Sequence, residues 1–310
     1  MAVGALSSAG GAKEVSWGTG VAPTFFYPFS SEGFTDGPET MQELQIRGIL
    51  DADPQYKGMQ MVSGALAGVV YPSLIGHILR AALGAPVTTG AGPFTHTFTP
   101  VQAAFSANAA LPPYSWTVNR ENLQILRYEG CVCSKVGLKL SQGGVLTFDS
   151  SWIGRDATVQ AAPTVTLPTD VPFQLSANIL RAGSPFADLQ DFSLDISNTI
   201  EPVKVINNSD KVGRIVWSGK RTISMSATAD FSSLQLYNDF KAFNTVAWSF
   251  AFAQGANTLA INVPAAILKT PGATVGGDGR ITLSATLDAM YDTTTARALQ
   301  IVLANGVATY

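Results

Sequence analysis

The sequence predicts a protein dominated by β structure, with two short helices and two related halves. Apolar and polar residues alternate with a period of two along much of the chain, most clearly over residues 222–231. A strand of this kind runs straight into one short amphipathic helix twice, at 59–83 and at 221–243. The segments around these two units follow in the same order in both halves, and chance similarity does not preserve order.

The composition limits the classes of function. The chain has 310 residues, enough for two domains that each bury a core. Only 13% of the residues are charged, about half the usual share. Such a surface suits a protein covered by copies of itself, although a β-rich monomer with Ser and Thr on exposed strands explains it equally well. The net charge of −3, without any Lys/Arg-rich run, argues against a basic grip on nucleic acid.

The sequence shows neither a membrane helix nor a secretion signal. It contains no run of about 18 apolar residues, the length that a membrane helix needs. Residues 1–18 lack the basic region and the continuous apolar core of a signal peptide. We therefore expect no membrane partner.

Residues 1–13 are small and are expected to form a flexible N-terminal arm, and residues 14–156 the first β domain. In that domain the pattern predicts a strand over 41–50, a turn at 51–54, a strand from 59 to 70 and a helix from 73 to 83 that ends at Gly84. Further strands are predicted at 94–98, 114–118, 132–140 and 146–152, with a hairpin turn at 142–144.

Residues 157–185, rich in Ala, Pro and Thr, are expected to connect this domain to a second β domain at 186–310. Its strands are predicted at 192–196, 222–231, 246–252, 259–263 and 281–287. Ser232 and Ser233 are expected to cap its short helix. In that helix Leu236, Phe240 and Phe243 are spaced to face the core.

No catalytic, cofactor or metal site is predicted, and we expect the protein not to be an enzyme. His77 and His96 lie outside any nucleophile elbow or zinc motif. Cys131 and Cys133 are two residues apart in a strand, a spacing that is poor for a mutual disulfide, so we expect unbridged structural cysteines. The glycine clusters lack the strand-to-helix setting of a phosphate-binding loop.

One segment, residues 198–220, is predicted to interact with a partner, and we call it the arm. It mixes apolar and charged residues around an Asn-Asn-Ser-Asp tip, a pattern typical of a long hairpin. Exposed apolar side chains and sheet edges are liabilities in solvent. We therefore favour docking on another subunit, the alternative being that the arm folds back on its own domain. The residues assigned to this inter-subunit arm are Glu201, Lys204, Asp210, Lys211, Arg214 and Trp217.

Several segments resemble bacteriophage tail tube proteins, also called major tail proteins. They are EVSWGT at 14–19 with TFFYP at 24–28, GGVLTFDSSWIGRD at 143–156, and SATADF at 226–231 leading into LYNDF at 236–240. The resemblance covers nearly the whole chain and rests on pattern and order, without an invariant catalytic signature.

The resemblance implies a tail tube fold, a β-sandwich with one flanking helix and a hairpin arm. Rings of such domains stack into a hollow tube, and their inner sheets close into a β-barrel around a lumen through which DNA passes without sequence-specific binding. Six tube domains form a ring in this family. Two domains per chain therefore predict three chains per ring with pseudo-six-fold symmetry, or six chains if one half is a decoration.

The resemblance also implies partners and a location. The protein would be made in the bacterial host cytoplasm and would reside in the virion, in contact with itself and with the tail tip, tail terminator and tape measure proteins. The alternative is a monomeric β-sandwich binding module of carbohydrate or adhesin type, which would show clustered aromatic platforms and usually a secretion signal. An outer-membrane barrel is disfavoured by the two amphipathic helices.

Overall fold

A computed structural model describes residues 3–42, 45–48, 50–102, 111–174, 177–206, 209–273 and 281–310. The chain is mostly β, as predicted, with two α-helices and one 3₁₀ turn at Gly4–Leu6 among the described residues. The helices are α1 (Ile75–Leu83) and α2 (Gln235–Ala242).

The strands in chain order are β1 (Ser8–Lys13), β2 (Phe25–Tyr27), β3 (Phe29–Glu32), β4 (Thr35–Gln42), β5 (Gln55–Val69), β6 (Val87–Thr89), β7 (Phe94–Phe98), β8 (Tyr114–Arg120), β9 (Gln124–Ser141), β10 (Thr147–Gly154) and β11 (Asp156–Val159). They continue as β12 (Ala177–Arg181), β13 (Ser184–Pro185), β14 (Leu189–Ser197), β15 (Ile200–Val203), β16 (Arg214–Trp217), β17 (Thr222–Asp230), β18 (Thr245–Gln254), β19 (Asn257–Ala273), β20 (Thr282–Ala289) and β21 (Gln300–Asn305).

One antiparallel row of strands crosses the whole molecule, and we call it the long sheet. Its order is β4–β5–β10–β9–β14–β17–β20–β19. The two halves of the chain meet in the middle of this row, where residues 135–141 of β9 pair with residues 191–197 of β14. The backbone of the long sheet is therefore continuous across the halves.

Two outer groups of strands cover the long sheet. The first part of β9 pairs with β8 and β11, and β1 extends this group. The first part of β19 pairs with β18 and β21, and β12 extends that group. Strand β7 of the first half adds to the edge of β21 in the second half. The pairing of β7 with β21 therefore connects the two halves at a second place, outside the long sheet.

The pairing pattern occurs twice. Seven strands of the first half each have a counterpart in the second half with equivalent pairing partners. In order, β1 corresponds to β12, β4 to β14, β5 to β17, β8 to β18, β9 to β19, β10 to β20 and β11 to β21. Each helix follows the equivalent strand and packs on the equivalent long strand, α1 on β9 and α2 on β19. The two halves, whose segments follow the same order in the sequence, thus also share the same pattern of strand pairing.

The core lies between the long sheet and the outer groups. Trp116 and Trp152 are buried in the first half with their ring centroids 5.2 Å apart. In the second half Phe192 stacks on Phe250 at 4.0 Å. Side chains of both halves belong to one apolar cluster, so the two halves share a core.

The N-terminal arm prediction is wrong for residues 8–13, which form β1 between β2 and β8. Ala9 and Ala12 are buried there. The reason lies in Gly10 and Gly11, because a Cβ at either position would lie within 2.7 Å of a phenylalanine ring atom of β2. The missing side chains let the aromatic strand pack directly on the backbone.

Other boundaries also differ from the predictions. The strand predicted at 41–50 is β4, which begins at Thr35 and ends at Gln42; positions 43, 44 and 49 lie outside the described residues. Strands β11, β12 and β13 occupy parts of the expected connector at 157–185. The turn glycines at 276–279 and the arm tip at 207–208 also lie outside the described residues. Helix α1 ends at Gly84 as predicted.

Helix α2 differs from its prediction in two ways. Its N-cap is Leu234, and Ser233 only accepts a 3.4 Å hydrogen bond from the Gln235 amide. Of the three residues expected in the core, Leu236 alone is buried, whereas Phe240 is 38% and Phe243 70% exposed. The helix packs on β19, Leu236 joins the core, and Asp239 is paired with Arg181 of β12.

Candidate assembly surfaces

The long sheet ends in two open edges. Strand β4 pairs with β5 on one side, and residues 268–273 of β19 pair with β20 on one side. Among the described residues, no strand pairs with the opposite side of either segment. Both edges present unpaired backbone donors and acceptors, the groups that template pairing with another chain.

One face of the long sheet is polar and the other faces the core. The polar face carries Ser and Thr in alternation with buried apolar residues, for example in β17 and β20. Its lysines are paired: Lys139 lies 2.8 Å from Asp149, and Lys135 lies 2.8 Å from Asp195. The hydrogen bond that Lys139 donates to the Asp149 carboxylate raises the pKa of Lys139.

A third ion pair on this face joins Lys269 to Asp288. The Lys135–Asp195 pair bridges β9 and β14, so it spans the junction of the two halves. Each of these lysines neutralises a neighbouring aspartate, and the same face also carries the carboxylates of Asp191 in β14 and Asp230 in β17.

The arm forms the predicted hairpin, in which β15 pairs with β16. It lies against the first half of its own chain. Lys204 pairs with Glu39 of β4, and Lys211 pairs with Asp156 of β11. Asp210 lies 2.6 Å from the Lys57 ammonium group, whose hydrogen bond lowers the pKa of this exposed carboxyl.

Apolar contacts hold the base of the arm. Val212 and Ile215 are fully buried in a small cluster with Val132 of β9. Trp217 packs at the edge of this cluster, and the Arg221 guanidinium lies 5.0 Å from its ring centroid. The remaining two predicted arm residues, Glu201 and Arg214, are exposed. These contacts match the alternative of folding back within the chain, and a contact between the arm and another subunit stays a prediction.

Sequence reasoning missed a contact between the C-terminus and α1. The Tyr310 ring lies over Gly76, and its hydroxyl is 3.3 Å from the carbonyl oxygens of Pro72 and Ser73. Asn305 donates a hydrogen bond to the same hydroxyl. The available signal in the sequence is Gly76 itself, a costly residue inside a helix that marks a close approach.

Helix α2 carries an exposed apolar surface, which we call the α2 patch. Leu234 is 58% and Phe243 70% exposed. The other members of the patch are Phe231, Tyr237 and Phe240, all of which are also exposed. Five exposed large apolar side chains within 13 residues, along and just before one short helix, typically mark an interaction surface.

The histidines and cysteines, which are the side chains most often used in catalysis or metal binding, have structural roles in this fold. His96 is buried between the Thr88 hydroxyl at 2.9 Å and the Val307 carbonyl at 2.8 Å. His77 stacks on Phe25 at 3.8 Å. Cys131 and Cys133 are free and buried, as predicted. The described part of the chain contains no group of three or more His, Cys, Asp or Glu that could hold a metal ion.

Comparison with protein families assigns the chain to one of them. A family model described as phage tail tube protein matches residues 4–289, most of the chain. No curated protein matches. In the part of the chain that the structure describes, neither helix is long and apolar enough to cross a membrane.

Proposed function

Since the chain belongs to the phage tail tube protein family, and is thus a structural subunit of a bacteriophage tail, we propose that its copies assemble into stacked rings forming a hollow tube through which DNA passes. The proposal rests chiefly on one observation, the repeated pairing pattern with its two open edges. The other surfaces described above support its details.

The repeat indicates how one copy meets the next. Within the chain, β9 of the first half pairs with β14 of the second. The counterparts of these strands are β19 and β4, and both have an open edge. We propose that the open edge of β19 pairs with β4 of a neighbouring copy, repeating the internal junction. Successive junctions of one kind form a ring when the rotation from copy to copy closes, and closure removes the exposed edges.

The two faces of the long sheet determine which side lines the lumen. The helices and the outer strand groups all lie on its core side. In a closed ring these extra layers need the larger circumference, so they lie outside and the polar face turns inward. A lumen of Ser, Thr and paired charges offers DNA phosphates no strong binding site, which permits sliding.

The width of the barrel distinguishes three copies from six. Each chain contributes eight strands, β4, β5, β10, β9, β14, β17, β20 and β19. With strands about 4.8 Å apart and tilted by about 40°, three copies close a barrel about 48 Å across at the backbone, and six copies about 96 Å. Because both halves belong to the same sheet, we propose three copies with pseudo-six-fold symmetry.

The same proposal covers the partners and the location. Each half is a tube domain, the rings stack along the axis, and the ends of the tube meet the tail tip and terminator proteins. The tape measure protein is a further partner. The subunit is made in the host cytoplasm and functions in the virion without enzymatic activity. These partners follow from the family and not from a particular contact in the chain.

The first test is negative-stain microscopy of the concentrated protein. Hollow tubes or rings with a barrel of about 48 Å in top views are expected. A barrel of about 96 Å would replace three copies by six. Particles that stay monomeric at every concentration, with and without tail tip protein, would overturn the proposal and favour a binding module.

A second test addresses the edges directly. Gly272 lies on the open edge of β19, and a Cβ there would meet none of the described residues within 4 Å. Gly272→Lys should therefore fold normally and block assembly, because a charged residue on an edge strand hinders pairing. Gly306→Lys is the matched control, since position 306 is equally open and lies outside the long sheet. Tubes of normal yield from Gly272→Lys would show that this edge is not a junction.

A further inference from the structure

The α2 patch sets α2 apart from its counterpart α1. Most of α1 is buried, from Ile75 to Leu83. In α2 only Leu236 is buried, although the helix occupies the equivalent place after β17 and packs on the equivalent strand β19. The two helices therefore share a position in the repeat and differ in what covers them.

The cover on α1 comes partly from the other half of the chain. Tyr310, the last residue of the second half, packs on Gly76 and makes an edge-on ring contact with His77 at 4.9 Å. Strand β7, which is paired with β21 of the second half, also contacts α1. At the internal junction, then, the half that pairs with β9 also helps to cover the helix packed on β9.

We propose that the α2 patch is covered by the first half of the neighbouring copy whose β4 pairs with β19. The inference rests on the ring proposed above and adds a second surface to its junction. The patch lies on the helix packed against β19, the strand with the open edge. Sheet pairing and helix cover would then occur together at both kinds of junction, once within a chain and once between chains.

The chemistry of the patch suits a permanent contact with a second copy. Four of its five side chains are Phe or Tyr, aromatic residue types that are enriched in protein interfaces. The Lys241 ammonium group lies 5.8 Å from the Tyr237 ring centroid, within the range of a cation–π contact. A soluble single chain with this surface uncovered would be prone to association.

The test uses substitutions that keep the helix intact. Leu234 is the N-cap, where serine is a preferred residue, and Phe243 is the left-handed C-cap, where asparagine is tolerated. The double variant Leu234→Ser with Phe243→Asn should unfold at the same denaturant concentration as the wild type. It should raise the critical concentration for tube formation about tenfold or more, because two apolar contacts are lost.

The control is Gln235→Ser with Asn238→Ser, two exposed polar positions of the same helix, which should assemble like the wild type. Phe243→Cys gives a second readout, since the native cysteines are buried. A maleimide should label Cys at this position in monomers and at least about tenfold more slowly in tubes.

The outcomes separate this inference from the proposed function. If the wild type forms no tubes under any condition, the ring proposal fails and the inference fails with it. If the wild type forms tubes and the double variant does so at the same concentration, the inference alone is overturned. Isolated rings that no longer stack would also overturn it, because the patch would then contact the next ring instead of the neighbour in the same ring.

Discussion

Substitution of Gly76 by alanine tests whether the C-terminus closes over α1. In the native chain the Tyr310 ring occupies the space beside Gly76, and a Cβ there would lie 2.5 Å from Cε1 of the ring. Real Cβ contacts are not this short, so either the ring or the helix must move. Because the helix is buried on β9, we expect the Tyr310 ring to be displaced.

Opposing effects set the size of the change. Overpacking a buried contact typically costs about 1–3 kcal/mol. Losing the hydrogen bonds of the Tyr310 hydroxyl adds about 1 kcal/mol. Alanine gains up to about 1 kcal/mol over glycine through its helix propensity. Gly76→Ala should therefore destabilise the native state by about 1–3 kcal/mol.

The decisive measurement is a double-mutant cycle by denaturant unfolding. Tyr310→Ala removes the ring, and in that background Gly76→Ala meets no obstacle. There it should be neutral or stabilise by up to about 1 kcal/mol. Gly306→Ala serves as the control, because a Cβ at 306 meets nothing within 4 Å. An equal loss of stability from Gly76→Ala in both backgrounds would refute the contact between Tyr310 and α1.

Three further predictions concern single side chains. Cys131 and Cys133 are buried, which raises the pKa of both thiols, so they should react with a thiol reagent only after denaturant unfolds the chain. Arg181→Ala leaves the mostly buried Asp239 carboxylate without its ion-pair partner and should cost about 3–5 kcal/mol in the same assay; an unchanged midpoint would contradict this. Burial, and secondarily a neighbouring arginine, lowers the pKa of His77 from 6.5 to about 3. Its contribution to stability is therefore complete above pH 6.5 and is lost as the pH falls towards 3, by at most about 1.4 kcal/mol per pH unit; His77→Phe should flatten this slope.

The periodic strands could be predicted from the sequence because the alternation of apolar and polar residues in each strand shows which of its faces is buried. The alternation over 222–231 is observed as β17, with Met225 buried and Ser226 exposed. Periodicity reports which face of an element is apolar, and it does not report what covers that face. For this reason the helix near 236 was predicted correctly as an element, while the burial of Phe240 and Phe243 was wrong.

Contacts between segments that are distant in the sequence could not be predicted from local sequence patterns. The placement of β1 depends on the packing of the aromatic strand β2 against two glycines of β1. A Gly-rich N-terminal segment is equally compatible with a flexible tail. The ion pairs of the arm join Lys204 and Lys211 to strands far back in the sequence. The sequence identified the arm as an apolar hairpin that needs a partner surface, and only the fold places the first half of the same chain beneath it.

Because one chain contains both related halves, a ring of the proposed kind would have two types of junction, one within each chain and one between chains. The β9–β14 junction forms within the chain, so its strength does not depend on protein concentration. The arm and the Tyr310 contact both reinforce this internal junction. The proposed β19–β4 junction has neither reinforcement in the single chain and would draw on other surfaces, such as the exposed apolar side chains of the α2 patch. Concentration, or a template at the tail tip, would then control half of the junctions in each ring, and this half is where a subunit can be kept monomeric until the tube begins to grow.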